Sequence, residues 1–180
     1  MIIRVATPED ARAIAAVQVA SWRSTYRGIV PDAFLDAMNV DAGAARWVGN
    51  LSSGRSVTHV AEGDLGVCGF VSWGPVREAV GEFDGELWAL YLADESHGRG
   101  VGRQMVDVAR KELLAAGYRS MIVWALQENP AVKFYKHLGA VAVSGKMAEI
   151  GGAKIPDLAL GWKDLSSGLS TATITTNLSS

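Results

Sequence analysis

The stretch Glu86-Leu-Trp-Ala-Leu-Tyr-Leu-Ala-Asp-Glu-Ser-His-Gly-Arg-Gly-Val-Gly-Arg103 decides the fold of this chain. It begins with an almost continuous apolar run to Leu92, which is typical of a strand covered on both faces. Gly98, Gly100 and Gly102 then lie at the start of an amphipathic segment, which predicts a tight turn into a helix. Unpaired backbone N–H groups and the positive end of the helix dipole predict an anion site at that turn.

The sequence around this turn predicts a strand before it and, after it, a helix and a second strand. Residues 100–116 carry an apolar stripe at helical spacing, and Gly117 ends the helix. Residues 120–126 form the next apolar run. Since such units are right-handed in nearly all proteins, the two strands are expected to be parallel, with their carboxyl ends at the same edge of the sheet.

The rest of the chain predicts an α/β (α+β) fold. Residues 2–6 are expected to form a first strand, and three helices should follow, the third of them capped by Asp41. Residues 57–73 predict a hairpin that turns at Gly63-Asp64. Residues 140–149 and 154–165 predict a closing antiparallel pair, which gives a mixed sheet with helices on both faces.

Composition narrows the class of protein. The chain has 180 residues, a formal net charge of −2 and a single cysteine, Cys68. We predict one domain over residues 1–165, followed by a Ser/Thr-rich tail over residues 166–180. No global positive charge favours nucleic acid, no apolar run reaches the ~18 residues of a membrane span, and no signal-peptide core is present. These features predict a soluble, cytoplasmic protein with neither nucleic acid nor membrane as a partner.

Two common classes of protein with a glycine-rich turn do not match this sequence. A P-loop ends in Gly-Lys-Ser/Thr, whereas this turn continues as Gly102-Arg103-Gln104. A dinucleotide-binding fold requires Gly-x-Gly-x-x-Gly near its first strand, and here the spacing is Gly-x-Gly-x-Gly after several strands. The histidines and Cys68 show no metal-ligand spacing, so no metal is expected.

Two separate motifs resemble those of the GCN5-related N-acetyltransferase (GNAT) family. His97-Gly-Arg-Gly-Val-Gly102 is similar to the family's pyrophosphate loop, with His97 in place of the usual Gln or Arg. Asn129-Pro-Ala-Val-Lys-Phe-Tyr-Lys-His-Leu-Gly139 resembles the second signature, one strand downstream. The resemblance implies a mostly antiparallel sheet whose central parallel pair splays at its carboxyl ends, and an enzyme that uses acetyl-CoA.

The resemblance also implies where acetyl-CoA binds. Its pantetheine arm would pair with the backbone at Leu90 and Leu92 like an added strand, and an amide near Leu92 would polarise the thioester carbonyl. Asn129 would contact the cofactor as well as capping its helix. The diphosphate would lie on the glycine-rich turn, whose expected contacts are His97, Gly98, Arg99, Gly100, Val101, Gly102 and Arg103.

Two side chains are candidates for proton transfer. Tyr135 occupies the family's position for the general acid that protonates the departing thiolate. Glu86 resembles a glutamate that several members carry on this strand and is the candidate base, and strict alternation along the strand places it on one face with Trp88, Leu90 and Leu92. Glu82, Asp84 and water remain alternatives for the base.

The acceptor is the least determined part of the prediction. The expected reaction is direct acetyl transfer to a primary amine of a small molecule or peptide, without a covalent enzyme intermediate. A non-catalytic acyl-CoA sensor, a different acyl chain and a hydroxyl acceptor stay open, as does a homodimer. By resemblance, the residues nominated for the acceptor pocket are Trp22, Tyr26, Arg27, Trp73, Trp88 and Lys154.

Overall fold

A seven-stranded mixed sheet forms the centre of the computed structural model, which describes residues 1–167. The spatial order of the strands is β1-β2-β3-β4-β5-β7-β6, and of the six neighbouring pairs only β4 and β5 run parallel. This confirms the predicted sheet, with the parallel pair at its centre. The strands are β1 (Ile2–Val5), β2 (Val57–Gly63), β3 (Gly66–Pro75), β4 (Gly85–Leu92), β5 (Met121–Leu126), β6 (Val141–Ile150) and β7 (Ala153–Trp162).

In the described part of the chain, residues 1–167, five α-helices cover the sheet: α1 (Ala11–Thr25), α2 (Asp32–Ala37), α3 (Val40–Ser52), α4 (Val101–Ala115) and α5 (Ala131–His137). The predicted cap of α3 is wrong by two residues, because the side chain of Asn39 accepts the hydrogen bond from Ala42 N. The hairpin between β2 and β3 turns one residue later than predicted, at Asp64-Leu65. Within residues 1–167, no helix is long and apolar enough to cross a bilayer. The predicted tail lies almost entirely outside the described residues.

Each face of the sheet has its own apolar core. On one face, α4 packs over the central strands, and fully buried Met105 and Leu113 meet Leu87 of β4 in a core that includes α5. On the other face, Ile14 of α1 and Trp47 of α3 pack against β2 and β3. The gap between β4 and β5 therefore lies between two helical layers and is reached from the carboxyl ends of the strands.

Asp84 holds the amino ends of β4 and β5 together. Its carboxylate accepts hydrogen bonds from the backbone N–H groups of Arg119 and Ser120, both at 2.9 Å, and from the Ser120 hydroxyl at 2.7 Å. The backbone of Gly85 adds a hydrogen bond to Ser120 O. Asp84 is thus a structural residue at the start of the parallel pair, and both of its carboxylate oxygens accept hydrogen bonds.

We expect Asp84→Asn to destabilise the fold. Desolvation alone would raise the pKa of Asp84, but the hydrogen bonds from Arg119 and Ser120 outweigh it and leave that pKa below its usual range. The carboxylate therefore contributes stability above the unfolded-state pKa and loses it as the pH falls through the folded-state value. The expected loss at pH 7 is about 1.5–3 kcal/mol, since one N–H partner is left unpaired.

Chemical denaturation at pH 7 and at pH 3 measures this effect. Asp64→Asn is the matched control, because Asp64 lies exposed in the β2–β3 turn and has no hydrogen bond recorded for its carboxylate within residues 1–167. Equal stability of both variants at pH 7 would show that Asp84 does not hold the two strands together.

Candidate active site

The parallel pair of strands opens towards its carboxyl ends. β4 and β5 pair only at Gly85 with Met121, Glu86 with Ile122 and Leu87 with Val123, although β4 continues to Leu92. Ala93 N donates to Cys68 O on β3. Because hydrogen-bonded and non-hydrogen-bonded pairs alternate in an antiparallel ladder, the N–H groups of Leu90 and Leu92 point away from β3, into the gap.

A β-bulge at Trp88 changes which residues of β4 share a face. Ser72 of β3 pairs with Ala89, and the next residue, Trp73, pairs with Leu87, so Trp88 is the extra residue. Leu87 consequently joins Leu90 and Leu92 in the core under α4. The prediction that Glu86 shares a face with these leucines is therefore wrong, because strict alternation does not hold across a bulge.

The glycine-rich turn is exposed and ends in an open helix terminus. Gly98 and Gly100 have φ values of 71° and 79°, which favour glycine, and Gly100 is the N-cap of α4. Gln104 N donates to Gly100 O, so the N–H groups of the three residues before Gln104 have no partner within the helix. These donors are available to an anion at the mouth of the β4–β5 gap.

Gly102 has a packing role. A Cβ atom at this position would lie 3.3 Å from the ring of Phe134 and 3.4 Å from Leu92 Cδ1. The glycine therefore lets the first turn of α4 lie against both β4 and α5. The side chains of His97, Arg99 and Arg103 are exposed around the same turn.

Tyr135 is held rigidly on α5. Its ring packs edge-on against Trp162 at 6.0 Å between centroids, and only 4% of the residue is exposed. Desolvation by burial, with a smaller contribution from Tyr91, raises the pKa of Tyr135 above its ordinary value. The phenol is thus in its proton-donating form throughout the neutral range.

Asn129 joins the start of α5 to α1. The N-cap of α5 is Pro130 and not Asn129 as predicted, but Asn129 Oδ1 accepts from Ala131 N at 2.9 Å, and its Nδ2 donates to the hydroxyl of Tyr26 at 2.9 Å. Trp22 packs on Tyr26 at 4.7 Å between ring centroids. Two residues nominated for the acceptor pocket therefore also anchor the helix that carries Tyr135.

Glu86 is buried in an ion pair with Arg77. Its carboxylate accepts from Arg77 N at 2.8 Å and Arg77 Nε at 2.9 Å, and Arg77 Nη2 also contacts it. The Glu86 side chain is 1% exposed, whereas that of Arg77 is 51% exposed. The guanidinium also lies over the ring of Trp88, 5.0 Å from its centroid.

A groove with a volume of about 840 Å³ adjoins this ion pair. Its walls come from α1, α3, the segment between α3 and β2, and the facing ends of β3 and β4. Of the residues nominated for the acceptor pocket, Trp88 alone lines this groove. It is lined by Gln18, Trp47, Asn50, Ser53, Gly54, Arg55, Ser56, Ser72, Pro75, Val76, Arg77, Trp88, Ala89 and Tyr118.

The other nominated pocket residues lie elsewhere. Trp73 is 5% exposed in the core under α4. Arg27 forms ion pairs with Asp32 and Asp36 of α2, and Lys154 is exposed at the start of β7. Within residues 1–167, no group of three or more His, Cys, Asp or Glu side chains is placed to hold a metal ion.

Sequence reasoning missed Arg55 and Arg77. Both lie in segments outside the helices and strands, where no periodicity marks a functional side chain. The one usable signal for Arg77 is its place just after β3, because an antiparallel β3–β4 pairing brings the end of β3 next to the start of β4.

Comparison with known proteins agrees with this geometry. The model of the acetyltransferase (GNAT) family matches residues 18–140. The uncharacterized N-acetyltransferase YuaI of Bacillus subtilis is 37% identical over 164 residues, which cover 91% of this chain and 94% of YuaI.

Solved structures show the same fold. A GCN5-related N-acetyltransferase from Rhodopseudomonas palustris has a TM-score of 0.71 at 24% identity, covering 89% of this chain and 93% of its own. YncA from Salmonella typhimurium, solved with acetyl-CoA, has a TM-score of 0.68 at 21% identity, covering 92% and 94%. Because the family model spans more than half of the chain and YuaI is similar over nearly all of it, this protein belongs to the GNAT family of acetyltransferases.

Proposed function

We propose that this protein transfers an acetyl group from acetyl-CoA directly to a primary amine of a small molecule or peptide. The observation that carries the proposal is the length of β4 from Trp88 to Leu92 that does not pair with β5 and that ends beside the N-terminus of α4. An extended chain with a diphosphate at one end is complementary to this arrangement. Acetyl-CoA has that form.

Acetyl-CoA would be held mainly by the backbone. The N–H groups of Leu90 and Leu92 would pair with the pantetheine amides, as in strand addition. The diphosphate would accept hydrogen bonds from the turn at Gly98 and Gly100 and from the first N–H groups of α4, beginning at Val101 and Gly102. The exposed side chains of His97, Arg99 and Arg103 would add charge at the rim, and Asn129 retains one amide hydrogen for the cofactor.

An alkylammonium loses two protons when it becomes an amide, and the departing thiolate gains one. At pKa ~10 the ammonium is less than about 0.1% neutral at pH 7, so its first deprotonation costs roughly 4 kcal/mol. Glu86 would take that first proton, the neutral amine would form the new C–N bond as the C–S bond breaks, and the nitrogen would release its second proton, which balances the one that the thiolate receives. Tyr135 would protonate the departing thiolate, while an amide near Leu92 would stabilise the carbonyl oxygen.

The structure favours Glu86 over the other two carboxylates as the base. Asp84 and Glu86 each accept three hydrogen bonds, but the donors to Asp84 are Arg119 and Ser120 at the amino end of the parallel pair, whereas the donors to Glu86 belong to Arg77, which lines the groove with half of its side chain exposed. Glu82 is exposed in the segment before β4. Glu86 follows Gly85 at the start of the parallel pair, two residues from the β-bulge.

An acetyl-CoA turnover screen tests the proposed function. The acceptors are small amines, amino acids, aminoglycosides and peptide N-termini, and release of free thiol is the readout. Acetyl-CoA binding without transfer to any amine would show that the protein is a sensor and not an amine acetyltransferase.

For Glu86→Gln, we expect kcat/KM to fall by about 10²–10⁴ at pH 7, because the general base is lost. The deficit should shrink as the pH approaches ~10, where the amine is neutral without help from the protein. Glu82→Gln is the matched control and should behave like the unmodified protein. A deficit that stays constant between pH 7 and pH 10 would assign Glu86 a structural role only.

A further inference from the structure

Charge is distributed unevenly around the groove between α3 and β4. Of the fourteen residues that line it, the charged ones are Arg55 and Arg77, and both are exposed. The chain as a whole has a net charge of −2. Because the protein as a whole is weakly acidic, it does not attract anions in general. The positive charge of Arg55 and Arg77 favours an anionic group only where that group lies in the groove.

Arg77 has hydrogen-bond donors that its contact with Glu86 does not use. Its Nε and Nη2 atoms and its backbone N–H face the carboxylate. Its Nη1 has no partner recorded within residues 1–167, and half of the side chain is exposed to the groove and the solvent. The wall of the groove thus presents a cation and, directly behind it, a buried anion.

Arg55 lines the same groove as Arg77. Its carbonyl oxygen would lie 3.0 Å from a Cβ atom placed on Gly74, and the ring of Trp88 would lie 3.2 Å from the same atom. The segment that carries Arg55 is therefore packed closely against β3 and Trp88. No ion pair of its guanidinium is recorded within the described residues, so its donors are available to a ligand.

We propose that the acceptor is a zwitterionic amine of the α-amino acid class, with its carboxylate on Arg55 and Arg77 and its ammonium directed to Glu86. The inference rests on the proposed function. The Arg77–Glu86 ion pair offers a cation to the carboxylate of such an acceptor and an anion to its ammonium group. In an α-amino acid the ammonium and the carboxylate are attached to one carbon. This short spacing suits Arg77 and Glu86, which are in direct hydrogen-bond contact.

This arrangement explains why the candidate base is buried beneath an arginine. When the carboxylate of the acceptor pairs with the Arg77 guanidinium, that guanidinium has a second anion to share its donors, and Glu86 can accept from the ammonium instead. Guanidinium groups suit carboxylates because they offer parallel N–H donors. The side chain of the amino acid would lie in the groove along Trp47 and Trp88.

Matched acceptors test the assignment. Each set contains an amino acid, its amide and the amine without the carboxyl carbon: L-alanine, L-alaninamide and ethylamine, then L-phenylalanine, L-phenylalaninamide and 2-phenylethylamine. 2-Aminoethyl phosphate is added as a phosphate-bearing amine. We expect kcat/KM for the better amino acid to exceed that of its amide by about 10- to 100-fold, the effect of one charge-assisted hydrogen-bonded pair.

Variants of Arg55 provide a second test of the assignment. Arg55→Gln should raise KM for the amino acid about 10- to 100-fold, leave KM for acetyl-CoA unchanged and reduce the preference for acid over amide, because Arg77 alone remains to pair with the carboxylate. Arg55→Lys should restore part of the preference, because the charge returns without the paired donors. Arg46→Gln, an exposed arginine of α3 outside the groove, is the control and should leave the preference intact.

Four other outcomes would overturn the assignment. Equal or faster transfer to the amides would point to a peptide N-terminus, while the proposed function would stand. Faster transfer to 2-aminoethyl phosphate would replace the carboxylate by a phosphate. An unchanged preference in Arg55→Gln would remove Arg55 from acceptor binding. If acetyl-CoA binds and no amine is acetylated, the proposed function fails together with this inference.

Discussion

Gly100→Val is expected to lower the affinity for acetyl-CoA by at least about 100-fold. Gly100 has a φ of 79°, which a β-branched residue adopts only with strain, and it is the N-cap of α4. The valine side chain would also stand where the diphosphate has to approach the backbone. Loss of two charge-assisted hydrogen bonds, at about 1.5 kcal/mol or more each, accounts for this magnitude.

Gly117→Val is the matched control for this change. Gly117 follows α4 at its other end with a φ of 95°, and no atom lies within 4 Å of a Cβ atom built at either glycine. The two variants should therefore be destabilised to a similar extent, as measured by thermal unfolding, but only Gly100→Val should lose acetyl-CoA binding in calorimetry. Retention of micromolar binding by Gly100→Val would disprove the diphosphate site.

Tyr135→Phe is expected to reduce kcat by about 10²–10⁴ while leaving acetyl-CoA affinity nearly unchanged. The ring that packs against Trp162 is preserved, and no hydrogen bond of the hydroxyl is recorded within residues 1–167, so the fold should tolerate the change. Only the proton for the thiolate is lost. Calorimetry and steady-state kinetics with the same preparation separate the two effects.

The raised pKa of Tyr135 adds a test in the unmodified protein. Because burial favours the neutral phenol, deprotonation of Tyr135 should not limit turnover below about pH 10. A loss of kcat between pH 7 and pH 9 that disappears in Tyr135→Phe would contradict this picture. Unchanged kcat in Tyr135→Phe would remove Tyr135 from catalysis altogether.

Local sequence signals predicted the elements around the gap well. The apolar run from Glu86 to Leu92 and the stripe that follows Gly100 correspond to β4 and α4 within one residue at each end. These signals are strong because a buried strand and an amphipathic helix each impose a repeating pattern on many residues. The turn at Asp64-Leu65 and the cap at Asn39 were missed because each depends on one or two residues.

The orientation of side chains on β4 could not be predicted in the same way. The bulge at Trp88 arises from the pairing of β4 with β3, and pairing between strands is not encoded in the pattern of either strand alone. It moves Glu86 to the opposite face from Leu90 and Leu92. The partnership of Glu86 with Arg77 follows from that placement.

By itself the sequence determined the family, the order of the elements and the two signatures at His97–Gly102 and Asn129–Gly139, because these depend on residues close together in the chain. Only the tertiary structure decided which charges meet. Arg77 and Glu86 belong to separate segments and form an ion pair because β3 and β4 pair in a particular register, and Arg55 lines the same groove as Arg77. Electrostatic contacts between distant segments depend on distances of a few ångströms, and those distances are set only when the whole sheet has formed.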